Sequence, residues 1–473
     1  YQRRVRGYFM YLLILSSIMM GTELANDTAP TDFKYFKQRI DHFAFGPNML
    51  KTFSQRYCLN ENFLDQAKTI DTAIIQIGGE GPLKKAPGGT KEKFDVLGEL
   101  AQQYNAPIYQ LEHRFYGDSQ PFIADSPADY LKSENLQYLS SRFAIADLIN
   151  FISTMDKQYC ESQNKKYIPG KPCLKWMIAG GSYAGAVSAW ITQQHQSWFA
   201  ASIASSGVVD AHYELPEFDT HTLQAAGTPC AQIYLEAMHQ IEDVTEAGDD
   251  KYLKIFKAEN SVHADFYYFL ADTSLMVFQY GDWKAMCHDK LIPAWQNNED
   301  YVEVFVNYLN NKYVYQKYDR KDLSRVNNKE LSFRQWWYQT CTEVAYYQPA
   351  PQFNSIRSKQ VTTQWHLDIC KAAFNLSLGD PTDRTNNYYG KYDVYGQDTF
   401  FSNFWQDVWH LVGITSPQKN VPAENIGYIP DRDCGHCIDL HLYETSDPDN
   451  LKNMRQDEVK FVSTRFDKWI ARE

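Results

Sequence analysis

Apolar and polar positions along the chain fall into two regimes. From Phe36 to Gly207, short apolar runs alternate with stretches whose apolar residues recur at helical spacing. The runs "FKQRIDHF" and "FSQRYCLNENF" alternate apolar with polar residues, which predicts strands at a sheet edge. "TAIIQI", "LKWMIAG" and "FAASIAS" are continuously apolar and lead into glycine or serine, as buried strands of a parallel sheet do. "APIYQLEHRFYG" also reads as strand, while "KFDVLGELAQQYN", "FAIADLINFISTM" and "AGAVSAWITQQH" read as helices. Strands alternating with helices predict a doubly wound α/β unit.

The second regime runs from Val208 to Tyr395 and is mostly helical, with Ile233, Ala237, Ile241 and Val244 along one face. Strand patterning then resumes at "QDTFFSNFWQDVW" and "ENIGYIPDRDCGHCIDL", before a closing helix, "DEVKFVSTRFDKWIA". The expected organisation is one α/β domain over residues 30–207 and 396–473, interrupted by a helical insertion at 208–395. Before it, Arg3, Arg4 and Arg6 lead into "YFMYLLILSSIMM", the pattern of a secretory signal over residues 1–25. That run is shorter than the roughly 20 residues that span a bilayer, so an uncleaved anchor is the second choice and stable membrane insertion is not expected.

Composition narrows the picture further. The 473 residues are 44% hydrophobic and 15% aromatic, which excludes general disorder. A net charge of −12 argues against a nucleic-acid partner. Nine cysteines fit an oxidising compartment, and Cys160 and Cys173 bracket a polar loop as candidate partners. Two sequons, at Asn26 and Asn375, are candidate glycan sites in a secreted or lysosomal chain. No clustered His/Cys set beyond Cys434 and Cys437 appears, so neither a metal nor another cofactor is expected.

The chemistry centres on "WMIAGGSYAGAVSAWI". A serine between small residues, where a strand turns into a helix, matches the nucleophile elbow G-x-S-x-G, with Ala184 in the fifth place. Ser182 would then need a base, and the base a carboxylate to orient it. In α/β-hydrolases these follow in the order acid, then histidine, each after a strand. Asp407 follows "TFFSN" and His436 follows "IGYIP", so all three members occur in order. The backbone N–H of Tyr183 would supply one oxyanion donor, and Glu80 or Gly81 in "GGEGP" the other. An ordinary tight turn would have the same composition. Glu112 and Arg114 read as buried ion-pair scaffolding, and His113 precedes the nucleophile and is not the expected base. Trp405, Trp409, Trp336, Trp337, Tyr346 and Tyr347 could wall an apolar slot, though core packing explains most of them.

Several segments taken together resemble a known family. "QRIDHF", "FSQRY", "GGEGP", "EHRFYGDS", "GGSYAGAVSAW", "QTCTE…YYQ", "DVW…G" and "GHCIDL" resemble, in order, markers of the lysosomal Pro-Xaa carboxypeptidase family of serine peptidases. That family includes dipeptidyl peptidase II and thymus-specific serine protease. The resemblance implies an α/β-hydrolase fold with a helical insertion, and Ser182, Asp407 and His436 as nucleophile, acid and base. It also implies exopeptidase action beside proline on short peptides, in lysosomes or outside the cell. Trp409 also falls in a family segment, and it is named as the candidate substrate-binding residue. Carboxypeptidase and dipeptidyl aminopeptidase action both stay open, and a homodimer is compatible with either. Asp407-Val408-Trp409 stands where the family usually has Asp-Pro-Trp, a less rigid loop. The competing readings are a catalytically inactive binding module and a carboxylesterase or lipase on the same fold.

Overall fold

The apolar runs between Lys34 and Ile429 become strands in the computed structural model, which describes residues 32–330 and 332–470. The proposed signal and Asn26 lie outside the described residues. In chain order the strands are β1 (Lys34–Arg39), β2 (Thr52–Asn60), β3 (Thr72–Ile77), β4 (Ile108–Leu111) and β5 (Lys175–Gly181). They continue with β6 (Phe199–Ser205), β7 (His212–Glu214), β8 (Ala345–Tyr347), β9 (Thr399–Phe404) and β10 (Ile426–Ile429). Eight of them form one sheet in the order β1-β2-β4-β3-β5-β6-β9-β10. The β1–β2 and β2–β4 pairs are antiparallel and every other pair is parallel. This is the α/β-hydrolase type of sheet that the sequence predicts.

Helices cover both faces, which explains why β6 and β9 are buried along their whole length. Successive residues of β5 serve opposite faces. Trp176 and Ile178 meet Leu148, Phe151 and Ile152 of the helix Ser141–Ser162. Met177 and Ala179 join the layer holding Leu97 and Leu100 of the helix Val96–Tyr104, together with Met454 and Val462 of the helix Asp449–Ile470. Each large apolar side chain so buried contributes about 1.5–3 kcal/mol.

Between β6 and β9 the chain is mainly helical, from Glu217 to Tyr389. Ile233, Ala237 and Ile241 face inward together, against Phe266, Phe269 and Phe305. One short sheet interrupts these helices. His212 pairs with Ala345 and Glu214 with Tyr347, so β7 and β8 make a small parallel sheet inside the inserted segment. Ala345 and Tyr346 have φ of 52° and 55°, values that no helix continues, and the chain leaves the preceding helical turn extended. Disulfides join Cys160 to Cys173, Cys230 to Cys287 and Cys341 to Cys370, while Cys58, Cys434 and Cys437 are free. No helix among the described residues is long and apolar enough to cross a membrane.

Close approach of the helix Tyr183–Gln194 to β5 and β6 depends on glycine at two places. A Cβ at Gly180 would lie 2.2 Å from the Ala184 carbonyl oxygen, and one at Gly185 would lie 2.7 Å from that of Ser205. The departure from G-x-S-x-G is thereby explained, since Gly185 makes the close contact and Ala184 keeps its methyl. A Gly185→Val substitution should destabilise the fold by about 1–3 kcal/mol, because backbone cannot yield as a side chain does. Thermal and denaturant melts read this directly; an unchanged midpoint would refute the close-approach argument.

Candidate active site

Ser182 stands between the last residue of β5 and the first residue of the helix Tyr183–Gln194. Its backbone is at φ 61° and ψ −128°, a conformation that residues with a Cβ rarely adopt. The strain is held from both sides: Ser182 N donates to Ser205 O at 2.9 Å, and Ala186 N donates to Ser182 O at 3.0 Å. The Ser182 side chain is half-buried.

Asp407 and His436 meet from loops after neighbouring strands. Asp407 lies just past β9, where its Oδ1 accepts the Trp409 backbone N–H at 3.0 Å. Its Oδ2 lies 2.7 Å from His436 Nδ1, on the loop that follows β10. Both side chains are buried. A carboxylate facing Nδ1 fixes the proton there, which leaves Nε2 as the basic nitrogen of the neutral ring. Burial pushes the imidazole pKa down, but the Asp407 carboxylate, aided by the adjacent Cys437 sulfur, outweighs it and holds the value well above 6.5.

The His436 loop is folded against the serine turn. Cys437 N donates to Ser206 Oγ at 3.0 Å, and a Cβ on Gly181 would lie 2.8 Å from Cys437 Sγ. Ser182 and His436 are therefore each one residue from the Gly181–Cys437 contact, at the same edge of the sheet. The inserted segment closes on this loop from the other side. His436 N donates to Gln279 O at 2.7 Å, and a Cβ on Gly435 would overlap Gln279 and Tyr280 backbone. Trp409 Nε1 donates to Gln279 Oε1 at 2.9 Å, and the Tyr280 ring stands edge-on to His436 at 5.9 Å. Gln279 and Tyr280 are absent from the sequence-derived candidates. Their only local signal is Gly281, which ends a helix at a positive φ of 81° and points to no site.

The "GGEGP" turn follows β3 at the same edge. A Cβ on Gly79 would reach Ala184 Cβ at 4.0 Å, so the turn abuts the start of the nucleophile helix. The Glu80 carboxyl is raised in pKa by burial and feels the charge on His436, which brings Glu80 to the site while Gly81 stands beside open space. Tyr183 is buried; its hydroxyl and His113 Nε2 lie 3.2 Å apart. His113 Nδ1 lies 2.8 Å from Arg114 O, and burial pushes the ring down to about 4, so it is a neutral acceptor for Tyr183.

Glu112 and Arg114 are scaffolding, with separate partners. Glu112 pairs with Arg56 and accepts Leu83 N at 2.9 Å and Ser119 Oγ at 2.7 Å, which anchors the chain just past "GGEGP". Arg114 grips Asp147 through Nε at 2.7 Å and Nη2 at 2.6 Å. Among the aromatics, Trp337, Tyr346 and Tyr347 are buried as core residues, and Trp405 packs on His221. Trp409 is half-buried, edge-on to Phe218 at 4.8 Å and Tyr346 at 5.3 Å. Trp336 meets Tyr183 edge-on at 6.0 Å, nearer the nucleophile than its sequence neighbours suggest. Asn375 is exposed at the end of the helix Thr363–Phe374. Asp156, Cys160 and Cys173 cluster, but the two sulfurs are bonded to each other and Asp156 accepts Leu174 N at 3.0 Å, which is no metal donor set.

Known proteins resemble the chain over most of its length. The chain is 32% identical over 483 residues to "Probable serine protease EDA2" of Arabidopsis thaliana, covering 97% of this chain and 93% of that one. It is 26% identical to human thymus-specific serine protease, over 91% of this chain and 86% of the relative. It is 25% identical to the mouse lysosomal Pro-X carboxypeptidase, over 92% and 88% respectively. The family described as Serine carboxypeptidase S28 matches residues 38–458. The chain belongs to the S28 family of serine peptidases and is a serine-type peptidase hydrolase.

Proposed function

We propose that the enzyme is an exopeptidase that cleaves short peptides beside proline, in the secretory pathway or lysosome, through an acyl-enzyme intermediate. The observation that carries this reading is the contact of His436 Nδ1 with Asp407 Oδ2 at 2.7 Å, at the sheet edge that holds the strained Ser182 turn. In the proposed cycle His436 Nε2 takes the Ser182 proton as Oγ attacks the scissile carbonyl. The same proton then goes to the departing amine, and water repeats the sequence to release the acyl group. Developing negative charge on the carbonyl oxygen meets the Tyr183 N–H and that of Glu80 or Gly81. Trp409 supplies an apolar wall suited to a proline ring.

The chain terminus of the substrate is selected by the inserted segment, taken as one lid domain at 208–395. The bonds from Gln279 to His436 and Trp409 support this reading, since they bring the inserted segment to the proposed base. A site closed on that side admits a chain end better than the middle of a long chain. Names of relatives such as lysosomal Pro-X carboxypeptidase, together with three disulfides, support the compartment. Asn375 is the glycan site proposed among the described residues.

Ser182→Ala should keep its fold and lose at least about a thousandfold in turnover. Incubation with a peptide library, read by mass spectrometry, should show cuts beside proline near a free terminus and none in versions blocked there. Internal cleavage of a long, doubly blocked peptide at a comparable rate would overturn the exopeptidase reading. Normal hydrolysis by Ser182→Ala would overturn the nucleophile.

Acylation needs neutral imidazole, and the His436 pKa is raised, so the rate should fall as pH drops through a value above 6.5. A pH series of kcat/KM should therefore show an ascending limb centred above 6.5. Asp407→Asn removes the raising charge, which should move that limb to lower pH and cut kcat by about 10⁴-fold. A wild-type limb centred below 6.5 would contradict the assignment of Asp407 as partner of the base.

A further inference from the structure

Beneath the His436 loop lies a second acidic pair that the proposed cycle does not use. Asp439, three residues past His436, and Glu458, on the helix Asp449–Ile470, are both wholly buried. Their carboxyls lie within hydrogen-bonding reach of each other. Asp439 accepts Ser205 Oγ through Oδ1 and Ser402 Oγ through Oδ2, the latter at 2.7 Å. Neither Glu458 oxygen has an N–H or hydroxyl donor of its own. We infer that Asp439 and Glu458 share one proton, carried by Glu458 and donated to Asp439, and that this pair is a positioning device for the catalytic base. The inference rests on the serine-peptidase reading of Ser182, Asp407 and His436.

Two adjoining carboxylates cannot both stay ionised in a buried site, so one keeps its proton. The donors decide which: two hydroxyls bond Asp439 directly, whereas Glu458 has only the nearby Ser402 hydroxyl, which is already given to Asp439. Burial, then the Asp439 charge, raise the Glu458 pKa well above the usual carboxyl range. Arg455 is near but committed elsewhere, with Nε on Asp439 O at 3.0 Å, Nη2 on Ile438 O and His441 O, and Nη1 on Asp447. The other titratable groups that face the pair are Tyr443, His441 and Cys434, none of them a fixed positive charge.

The pair has leverage on the site through short links. Ser205, which donates to Asp439, offers its own carbonyl to Ser182 N, and Ser402 lies on β9 five residues before Asp407. One carboxylate thus joins the strand end beside the nucleophile, the strand leading to the acid and the loop carrying the base. When alkaline pH removes the Glu458 proton, charge repulsion acts directly on that junction.

The test measures kcat/KM against pH for wild type, Glu458→Gln, Glu458→Ala and Asp439→Asn. Wild type should lose activity at alkaline pH. Glu458→Gln, which keeps a donor and cannot ionise, should remain active there, and Asp439→Asn should also lack the alkaline loss. Glu458→Ala should lower kcat by roughly a hundredfold, with little change in KM, because the base loop shifts. Infrared difference spectra should show a protonated-carboxyl carbonyl band in wild type at neutral pH that Glu458→Gln lacks. An alkaline loss in Glu458→Gln equal to that of wild type, or spectra with no such band to lose, would overturn the inference. Fluorophosphonate labelling of wild-type Ser182 separates the two levels: no labelling fails the triad reading, whereas labelling with an unaltered Glu458→Gln profile fails the proton-sharing pair alone.

Discussion

The 2.7 Å approach of His436 Nδ1 to Asp407 Oδ2 sets the terms for everything around it. A carboxylate withdrawn from water is costly unless each of its oxygens finds a partner. Asp407 meets this demand with the Trp409 N–H on one oxygen and the imidazole on the other. The imidazole is held in turn by its backbone, through Gln279 O, and by Cys437 against Ser206. Each constraint reaches a different element, so β6, β9, the loop after β10 and the inserted segment share one polar junction.

That junction explains why the inserted segment is more than a cover. Its core is continuous with Phe115, Tyr116, Tyr130 and Leu131, which follow β4 in the sheet unit. Tyr116 donates to Gln339 Oε1 at 2.6 Å, and Ser141, at the start of the helix Ser141–Ser162, donates to Glu343. The two parts of the chain are therefore joined by buried hydrogen bonds as well as apolar contact, so the inserted segment is fixed to the sheet unit.

Much of this was legible in the sequence. Period and run length identify the strands of the large sheet, because strands buried on both faces must be apolar throughout. Chain order leads to Asp407 and His436, since each stands on a loop after one of the last two strands. What resists reading depends on contacts between distant segments. The β7–β8 pair is three residues per strand, too short to show a period. "WWYQTCTEVAYYQ" reads alike whether its rings face core or substrate, and only the fold separates Trp336 from Trp337. Gln279 acts mainly through a backbone carbonyl, which no side-chain pattern reveals. Glu458 sits in an amphipathic helix, where an acidic residue ordinarily marks the solvent face.

The order of strands also has a consequence for synthesis. Ser202 on β6 pairs with Thr399 on β9, so neighbours in the sheet are separated by the whole inserted segment. Each disulfide, by contrast, is local, with separations of 13, 57 and 29 residues, and none links the inserted segment to the sheet unit. A chain emerging from its amino end can therefore oxidise every cross-link before β9 exists. The Ser182 turn, the proposed nucleophile, is made early, while Asp407 and His436, the proposed acid and base, arrive only with the last strands. On the proposed triad, the polypeptide travels through most of its synthesis without its base, which comes into place only as the sheet closes.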